Sequence, residues 1–360
     1  MSRDGKISAG QLFMLTFMTR LIIMLTVNAR LTGGKNLLDL TLSAVAYMVL
    51  NLLLIIPAWV LRRRYPDMDV LDAAEYGLGK WGKGIAVLYA LYFLFMNGYF
   101  LSFFQLFMES EINPEVPVWL ISAAVVVAAC YGAFLGLETI ARTAGFLFII
   151  IGAAMAFLLI TLNQELRAEN FTPLLYDGPG QSIQGFLLFF SRSTQYSVIP
   201  LLLPRTSGKL KRRYILWNVS IGLFFIIMIV TVCGTLGPLA GMETFPVYTM
   251  TSLAQSGPFQ RLDAVYTGVW LLGLFLTVAL NLYLVCICIS RVMGKTSGRL
   301  SVPVSGILLA VIVPLVLINA EVQEQIFRLE AILPMTAVVG VAVPIGAVWA
   351  AVRREKRHEK

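Results

Sequence analysis

Ten apolar runs of roughly 20 residues follow one another along the 360-residue chain, near 10–31, 37–60, 84–108, 117–137, 140–162, 182–203, 214–236, 264–290, 301–319 and 332–352. A helix of that length rises about 30 Å, the thickness of a bilayer's hydrocarbon core. The runs are too long, and alternate too weakly, to be strands of a membrane barrel. Hydrophobic residues make up 58% of the chain and charged residues 13%, with a mean hydropathy of +0.80. A soluble fold of this size has no core large enough to hide so much apolar surface. The runs predict an all-α integral membrane protein of about ten transmembrane helices, a single membrane domain over residues 1–360. Residues 1–9 are short and polar and lack the pattern of a cleavable signal.

The polar segments between runs orient the chain. With Arg3 and Lys6 in the cytoplasm, the same side receives Arg62, Arg63, Arg64, Lys80 and Lys83, then Arg142, then Arg205, Lys209, Lys211, Arg212 and Arg213. Arg291, Lys295 and Arg299 follow, and a basic tail over 353–360 adds Arg353, Arg354, Lys356, Arg357 and Lys360. The other side receives only Lys35, Arg167, Arg261 and Arg328, beside Glu109, Glu111, Glu115, Glu165, Glu169, Glu243, Glu321 and Glu324. This asymmetry predicts a multi-pass protein with both termini cytoplasmic. Basic loops against an anionic leaflet account for the net charge of +8, and no nucleic-acid partner is expected.

Several chemistries lack their residues. Cys130, Cys233, Cys286 and Cys288 all fall inside runs, where they build no extracellular disulfide framework, and Cys286 and Cys288 have no His or Cys partners for a metal. The single histidine, His358, lies in the charged tail. The glycines of "YGLGKWGKG" follow no strand and read as a turn rather than a phosphate loop. Neither an enzyme nor a bound cofactor is expected.

Two charges stand where a membrane helix should have none. Arg20 and Arg192 each lie about ten residues from either end of a run, where a charge costs roughly 2.5–3.5 kcal/mol and normally faces a cavity or a partner. No Asp or Glu occupies the middle of any run. A buried guanidinium without a protein counter-ion needs carbonyl oxygens, water or an anionic ligand, and the planar fork of Arg suits a carboxylate. Arg192 sits in "FLLFFSRSTQYSVIPLLLP", among Ser191, Ser193, Thr194 and Gln195, side chains that compete with a helix for backbone groups. Pro200 removes a further donor, so a local break is expected in this sixth run.

The first run starts near 10 and the sixth near 182, and shifting Arg20 by that offset of 172 lands on Arg192. Matching interruptions suggest two halves of five helices each, about 10–162 and 182–352, the second inserted upside down relative to the first. Transporters of that plan bind substrate at mid-membrane between the corresponding helices. The candidate ligand site therefore comprises Arg20, Arg192, Ser191, Ser193, Thr194 and Gln195, with Thr16 and Thr19 on the first run. Asn97 and Tyr99 on the third run and Asn281 on the eighth are candidate lining, with helix-to-helix hydrogen bonding as the alternative for each. The alternative for Arg192 is that it bonds a neighbouring helix's terminal carbonyls and locks the bundle. The first run has no Gly or Pro between Gly10 and Gly33, so a nearly continuous helix is expected there.

Four stretches carry a family resemblance: "KISAGQLFMLTF", "RRRYPDMDVLDAAEYGLGKWGKGIAVLYALYF", "GLETIARTAGFLF" and "FPVYTMTSLAQSGPFQRLDAVYTGVWLLGLFLTVALNLYL". In order and spacing they resemble spore germination receptor B subunits, from about residue 6 to 350. The resemblance implies the endospore germination permease family, within the amino acid–polyamine–organocation superfamily, and a 5+5 inverted-repeat, LeuT-like transporter fold. It further implies recognition of nutrient germinants, commonly amino acids, in the spore inner membrane or cell membrane, together with a germination receptor A subunit and a lipoprotein C subunit. Three functions follow as expectations: a receptor subunit that binds a small carboxylate such as an amino acid, an amino acid permease, and a structural scaffold whose arginines bind nothing.

Overall fold

The structure, a computed structural model, describes residues 6–112, 117–162, 165–171, 173–253, 262–293, 295–318 and 325–358. Arg3, Glu115, Arg261, Glu321, Glu324 and Lys360 of the charge pattern lie outside them. The described chain is almost entirely helical. It runs β1 (Ile7–Ser8), α1 (Ala9–Leu25), α2 (Leu40–Leu54), α3 (Ile56–Arg64), α4 (Val70–Leu78), α5 (Gly82–Phe107), α6 (Val118–Leu135) and α7 (Leu137–Leu162). Then come α8 (Pro179–Ser191), α9 (Gln195–Leu202), β2 (Thr206–Ser207), α10 (Leu210–Leu236), α11 (Pro246–Leu253), α12 (Asp263–Met293), α13 (Lys295–Ile318), α14 (Leu329–Ala337) and α15 (Val343–His358). Among the described residues, seven helical segments are long and apolar enough to cross a membrane, and three shorter apolar helices, Ala9–Leu25, Trp119–Leu135 and Leu300–Pro314, lie on the first, fourth and ninth runs.

Local chemistry sets the element ends. Ser8 accepts from the Gln11 amide while the Gln11 side chain accepts from the Ser8 amide, a reciprocal cap that starts α1. Asp69 and Asp72 do the same for α4. Pro57, within the first turn of α3, has no N–H to continue the α2 ladder, and the second span is interrupted at Ile55.

The bundle is built around α12, which packs on α1, α5, α6, α7 and α13. In its apolar stretch 83% of residues are buried, against 28% in α7, so α12 is core and α7 is perimeter. The residues α7 turns outward are still apolar, among them Phe146, Ile149 and Ile160. That is what a helix facing hydrocarbon presents, since lipid removes the hydrophobic penalty for exposure but not the need to pair backbone groups.

Polar contacts gather at the two ends. At one, β1 and β2 pair in parallel, Ile7 opposite Thr206 and Ser8 opposite Ser207. There Asp69 is buried and faces Arg291 at 3.4 Å and Arg205 at 3.5 Å, while Asp72 meets Arg291 at 2.5 Å. Burial first, and the neighbouring Asp72 second, push the Asp69 carboxyl up to about 6 despite the two arginines. Glu355 joins the same end, held by Arg64 at 2.9 Å and by the Tyr65 hydroxyl at 2.7 Å. At the other end Asp177 accepts from the amides of Lys35 and Asn36, and Asp39 from those of Leu175 and Asp177.

Candidate functional site

The sixth span is broken at the expected place. Helix α8 stops at Ser191, and residues 192–194 fall outside the helix before α9 resumes at Gln195. The polar side chains take part in the break. Ser191 Oγ donates to the Leu188 carbonyl at 2.9 Å, beside a long bond from the Arg192 amide, and Ser193 Oγ donates at 2.5 Å to the Phe189 carbonyl, the acceptor a continuing helix would have given to the Ser193 amide. The Ser191 carbonyl accepts from Thr336 Oγ1 of α14 at 2.5 Å. Below the break, Pro200 cannot donate to the Tyr196 carbonyl.

The first span stays helical through Arg20 and ends at Leu25, so no break faces that of the sixth at the level of the arginine. Arg20 crosses instead to the sixth span. Its Nη1 donates to Ser193 Oγ at 2.8 Å and points at the carbonyls of Phe189 (3.4 Å) and Arg192 (3.5 Å). Those carbonyls close α8, where the helix carries partial negative charge, so a cation is favourable there. The guanidinium also lies over the rings of Tyr47, 5.0 Å from the centroid, and Phe225, 5.8 Å.

Arg192 has a different environment. It stands over Tyr99 and Phe103, 5.4 and 5.3 Å from their centroids, and both rings pack edge-on against Phe327. Arg20 is 1% exposed and Arg192 2%, so neither charge is relieved by solvent. In each, Nε and Nη2 have no hydrogen-bond partner. Those two nitrogens form one edge of the guanidinium, the edge that meets both oxygens of a carboxylate.

The other candidate residues divide into two groups. Gln195 donates to the Tyr47 hydroxyl, which also bonds Ser193 Oγ at 2.8 Å, so Ser193, Gln195 and Arg20 form one network; the Gln195 carbonyl oxygen is unpartnered. Ser191 and Thr194 belong to the break itself, the Thr194 carbonyl accepting from the amides of Ser197 and Val198 at 3.0 Å. Thr16 and Thr19 spend their hydroxyls within α1, on the carbonyls of Leu12 and Phe13 and of Thr16. Asn281 donates to Asn97 Oδ1 at 2.8 Å, so these two bridge α12 and α5. The Tyr99 hydroxyl is buried beside the Arg192 guanidinium, with no hydrogen bond of ordinary geometry.

The hydroxyls of Tyr47 and Thr336 escaped the sequence reading, as did the rings of Phe103 and Phe225. Tyr47 had a signal: Ser43, Tyr47 and Asn51 recur every fourth residue in an otherwise aliphatic run, and all three are buried. Ser43 donates to the Ser182 carbonyl at 2.7 Å and Asn51 to Asn218 Oδ1 at 2.5 Å, so the stripe ties the second span to α8 and α10. Thr336 had none, being one hydroxyl in a long apolar helix. Among the described residues no three His, Cys, Asp or Glu side chains come together as a metal-ligand group.

Comparison with known proteins agrees with this architecture. A solved structure of a Na⁺-coupled sialic acid symporter, substrate-bound and outward-open, superposes with a TM-score of 0.60 at 12% identity, covering 98% of this chain and 89% of that one. At that identity the likeness shows the fold alone, that of a transporter. A relative named for spore germination, YfkT of Bacillus subtilis (strain 168), is 24% identical over 258 residues, 70% of this chain and 71% of its own. The family model described as spore germination protein, the spore permeases, matches residues 6–325. This chain is a multi-pass membrane protein of the spore germination permease family.

Proposed function

We propose that the protein is the membrane-embedded subunit of a nutrient-germinant receptor and binds a small carboxylate, an amino acid above all, at the break in the sixth span. The observation that carries this reading is the Arg192 guanidinium, buried at mid-span with Nε and Nη2 unpartnered and no carboxylate at its depth. A ligand carboxylate supplies two parallel charge-assisted bonds to that edge. The Gln195 side-chain oxygen, which is unpartnered, and the Tyr99 hydroxyl beside Arg192 are the groups to read a ligand amino group. Arg20 pins the end of α8 and transmits ligand occupancy to the first span. Binding shifts the bundle between two states only in so far as the ligand prefers one of them. Two inverted halves, 10–162 and 182–352, with both termini cytoplasmic, agree with the matched arginines and the one-sided basic loops. A and C receptor subunits would read the change, in the spore inner membrane or cell membrane.

The transporter fold supports a second reading, a permease that carries the same ligand across. Two measurements separate the readings. Purified Arg192→Gln protein should remain folded and lose affinity for the amino acid that wild type binds; unchanged affinity would remove Arg192 from the site. Saturable uptake of labelled amino acid by reconstituted vesicles would favour the permease, and binding without uptake the receptor. Absence of any bound amino acid, with the Arg192→Gln protein destabilised, would leave both arginines as scaffold.

A further inference from the structure

Two cavities lie side by side at the end of the bundle that carries β1 and β2. The larger, about 810 Å³, opens between the end of α3 and the start of α10, rimmed by Arg63, Lys209, Lys211 and Arg212 and walled by Trp59, Val60, Ile215 and Leu216. The smaller, about 410 Å³, shares Gly208, Lys209, Arg212 and Leu216 with it and is bounded on the far side by Ser8 and Arg213. Arg62, on the floor, is committed to the protein: it donates to the carbonyls of Pro66, Leu203 and Thr206 at 2.9, 2.8 and 3.1 Å.

The remaining cations are not so committed. Arg64, Arg205 and Arg291, at the same end, each face a carboxylate. Arg63, Lys209, Lys211, Arg212 and Arg213 are exposed, and none forms an ion pair with a described acid. Five like charges around two hollows repel one another and raise the local anion concentration. The start of α10 adds the partial positive charge of a helix N-terminus.

The wall decides which anion. Val60, Ile215 and Leu216 are 41%, 42% and 53% exposed, and the apolar strip continues along the same two spans through Ile56 and Val219, both exposed. A free phosphate would leave that strip uncovered. An acidic peptide would match the rim but not a wall that runs into hydrocarbon. A molecule with an anionic head and long apolar chains matches both.

We infer that this is a site for an anionic phospholipid, its headgroup among Arg63, Lys209, Lys211 and Arg212 and its acyl chains along Trp59, Ile215 and Leu216. Because the twin hollows share a wall of Lys209 and Arg212, a lipid with two phosphodiesters fills both and binds more tightly than one with a single phosphate. The site touches β2 and the start of α1 together, so an occupying lipid fastens the first span to the segment after the sixth. The inference rests on the membrane spans and is independent of what Arg192 holds.

The test is native mass spectrometry of the full chain titrated with diphosphatidylglycerol, phosphatidylglycerol and phosphatidylcholine. One anionic lipid should be retained with at least about tenfold preference over phosphatidylcholine, and the Lys209→Gln/Lys211→Gln/Arg212→Gln variant should lose that preference. Lys80→Gln/Lys83→Gln/Lys356→Gln removes the same charge from exposed positions at the same end and should keep it. Equal loss in both variants, no preference in wild type, displacement by millimolar inorganic phosphate, or stronger competition by polyglutamate would each overturn the assignment. Should the rim variant fail to fold, Trp59 reports instead. Anionic lipid brominated on its acyl chains should quench wild type more than Trp59→Phe, and equal quenching would refute the site.

Discussion

Arg20 and Arg192 occupy matching places in the first and sixth runs, yet their surroundings differ. Arg20 rises from an unbroken helix and reaches outward, where Ser193 Oγ and two carbonyls of a foreign helix end receive it. Arg192 sits in the break itself, at the end of its own helix, and meets aromatic faces instead of acceptors. The same residue type at the same depth is thus anchored in one case and stranded in the other. A break in a helix creates acceptors, and the arginine from the intact helix uses them. Both arginines keep an unpartnered Nε–Nη2 edge, and the one inside the break keeps it between the rings of Tyr99 and Phe103 rather than beside carbonyls.

The comparison can be broken most directly by exchanging the two charges one at a time. Arg192→Gln should weaken amino acid binding by at least about 30-fold, since truncating one partner of a buried charge pair costs 2–5 kcal/mol. It should leave thermal stability unchanged or raised, because an uncompensated buried charge is removed. Arg20→Gln should do the opposite in rank, costing about 1–3 kcal/mol of stability by stranding Ser193 and the end of α8. Equal binding losses without destabilisation in Arg20→Gln would erase the distinction.

A second measurement separates the centre from the bundle's end. The Asp69 carboxyl titrates near 6 in the fold against 3.8 in an open chain, so between those values the folded state holds its proton more firmly. Its contribution to stability is therefore full below about pH 4 and declines as pH rises towards 6, by on the order of 2 kcal/mol. Subtracting the Asp69→Asn profile from wild type, by thermal unfolding in detergent, should give that slope. The Arg20 and Arg192 variants should keep it unaltered. Tyr47→Phe removes the hydroxyl between Ser193 and Gln195 and should cost about 1 kcal/mol, while the Asn97–Asn281 pair should couple by only about 0.6 kcal/mol in a double-mutant cycle.

Much of this was legible in the residues. Apolar run length registers the bilayer directly, so each run reappears mainly as helix over its described part, apart from residues 26–29 of the first and the break at 192–194 in the sixth. The break at 192–194 could be read because Ser, Thr and Pro weaken a helix locally, without tertiary help. What the chain could not disclose was which arginine would be tied. That depends on carbonyls of Phe189 and Arg192 that become available only when the helix opens, about 170 residues from Arg20. Asp69 caps the short helix that follows it, and its partners Arg205 and Arg291 belong to distant spans that no local pattern points to. Asn97 and Asn281 read as pocket lining with a helix-to-helix bridge as the alternative, and the 2.8 Å bond between them makes that bridge.

The pairing of β1 with β2 has a consequence for how the protein is made. The Ile7 carbonyl cannot meet the Ser207 hydroxyl until 200 further residues have been synthesised. At ordinary elongation rates of about 5–20 residues per second that interval is roughly 10–40 s. During it the first five runs enter the bilayer with the foot of α1 unfastened. Closure is therefore a late, long-range event, and it can occur only after the sixth span, with its break and its arginine, has been delivered.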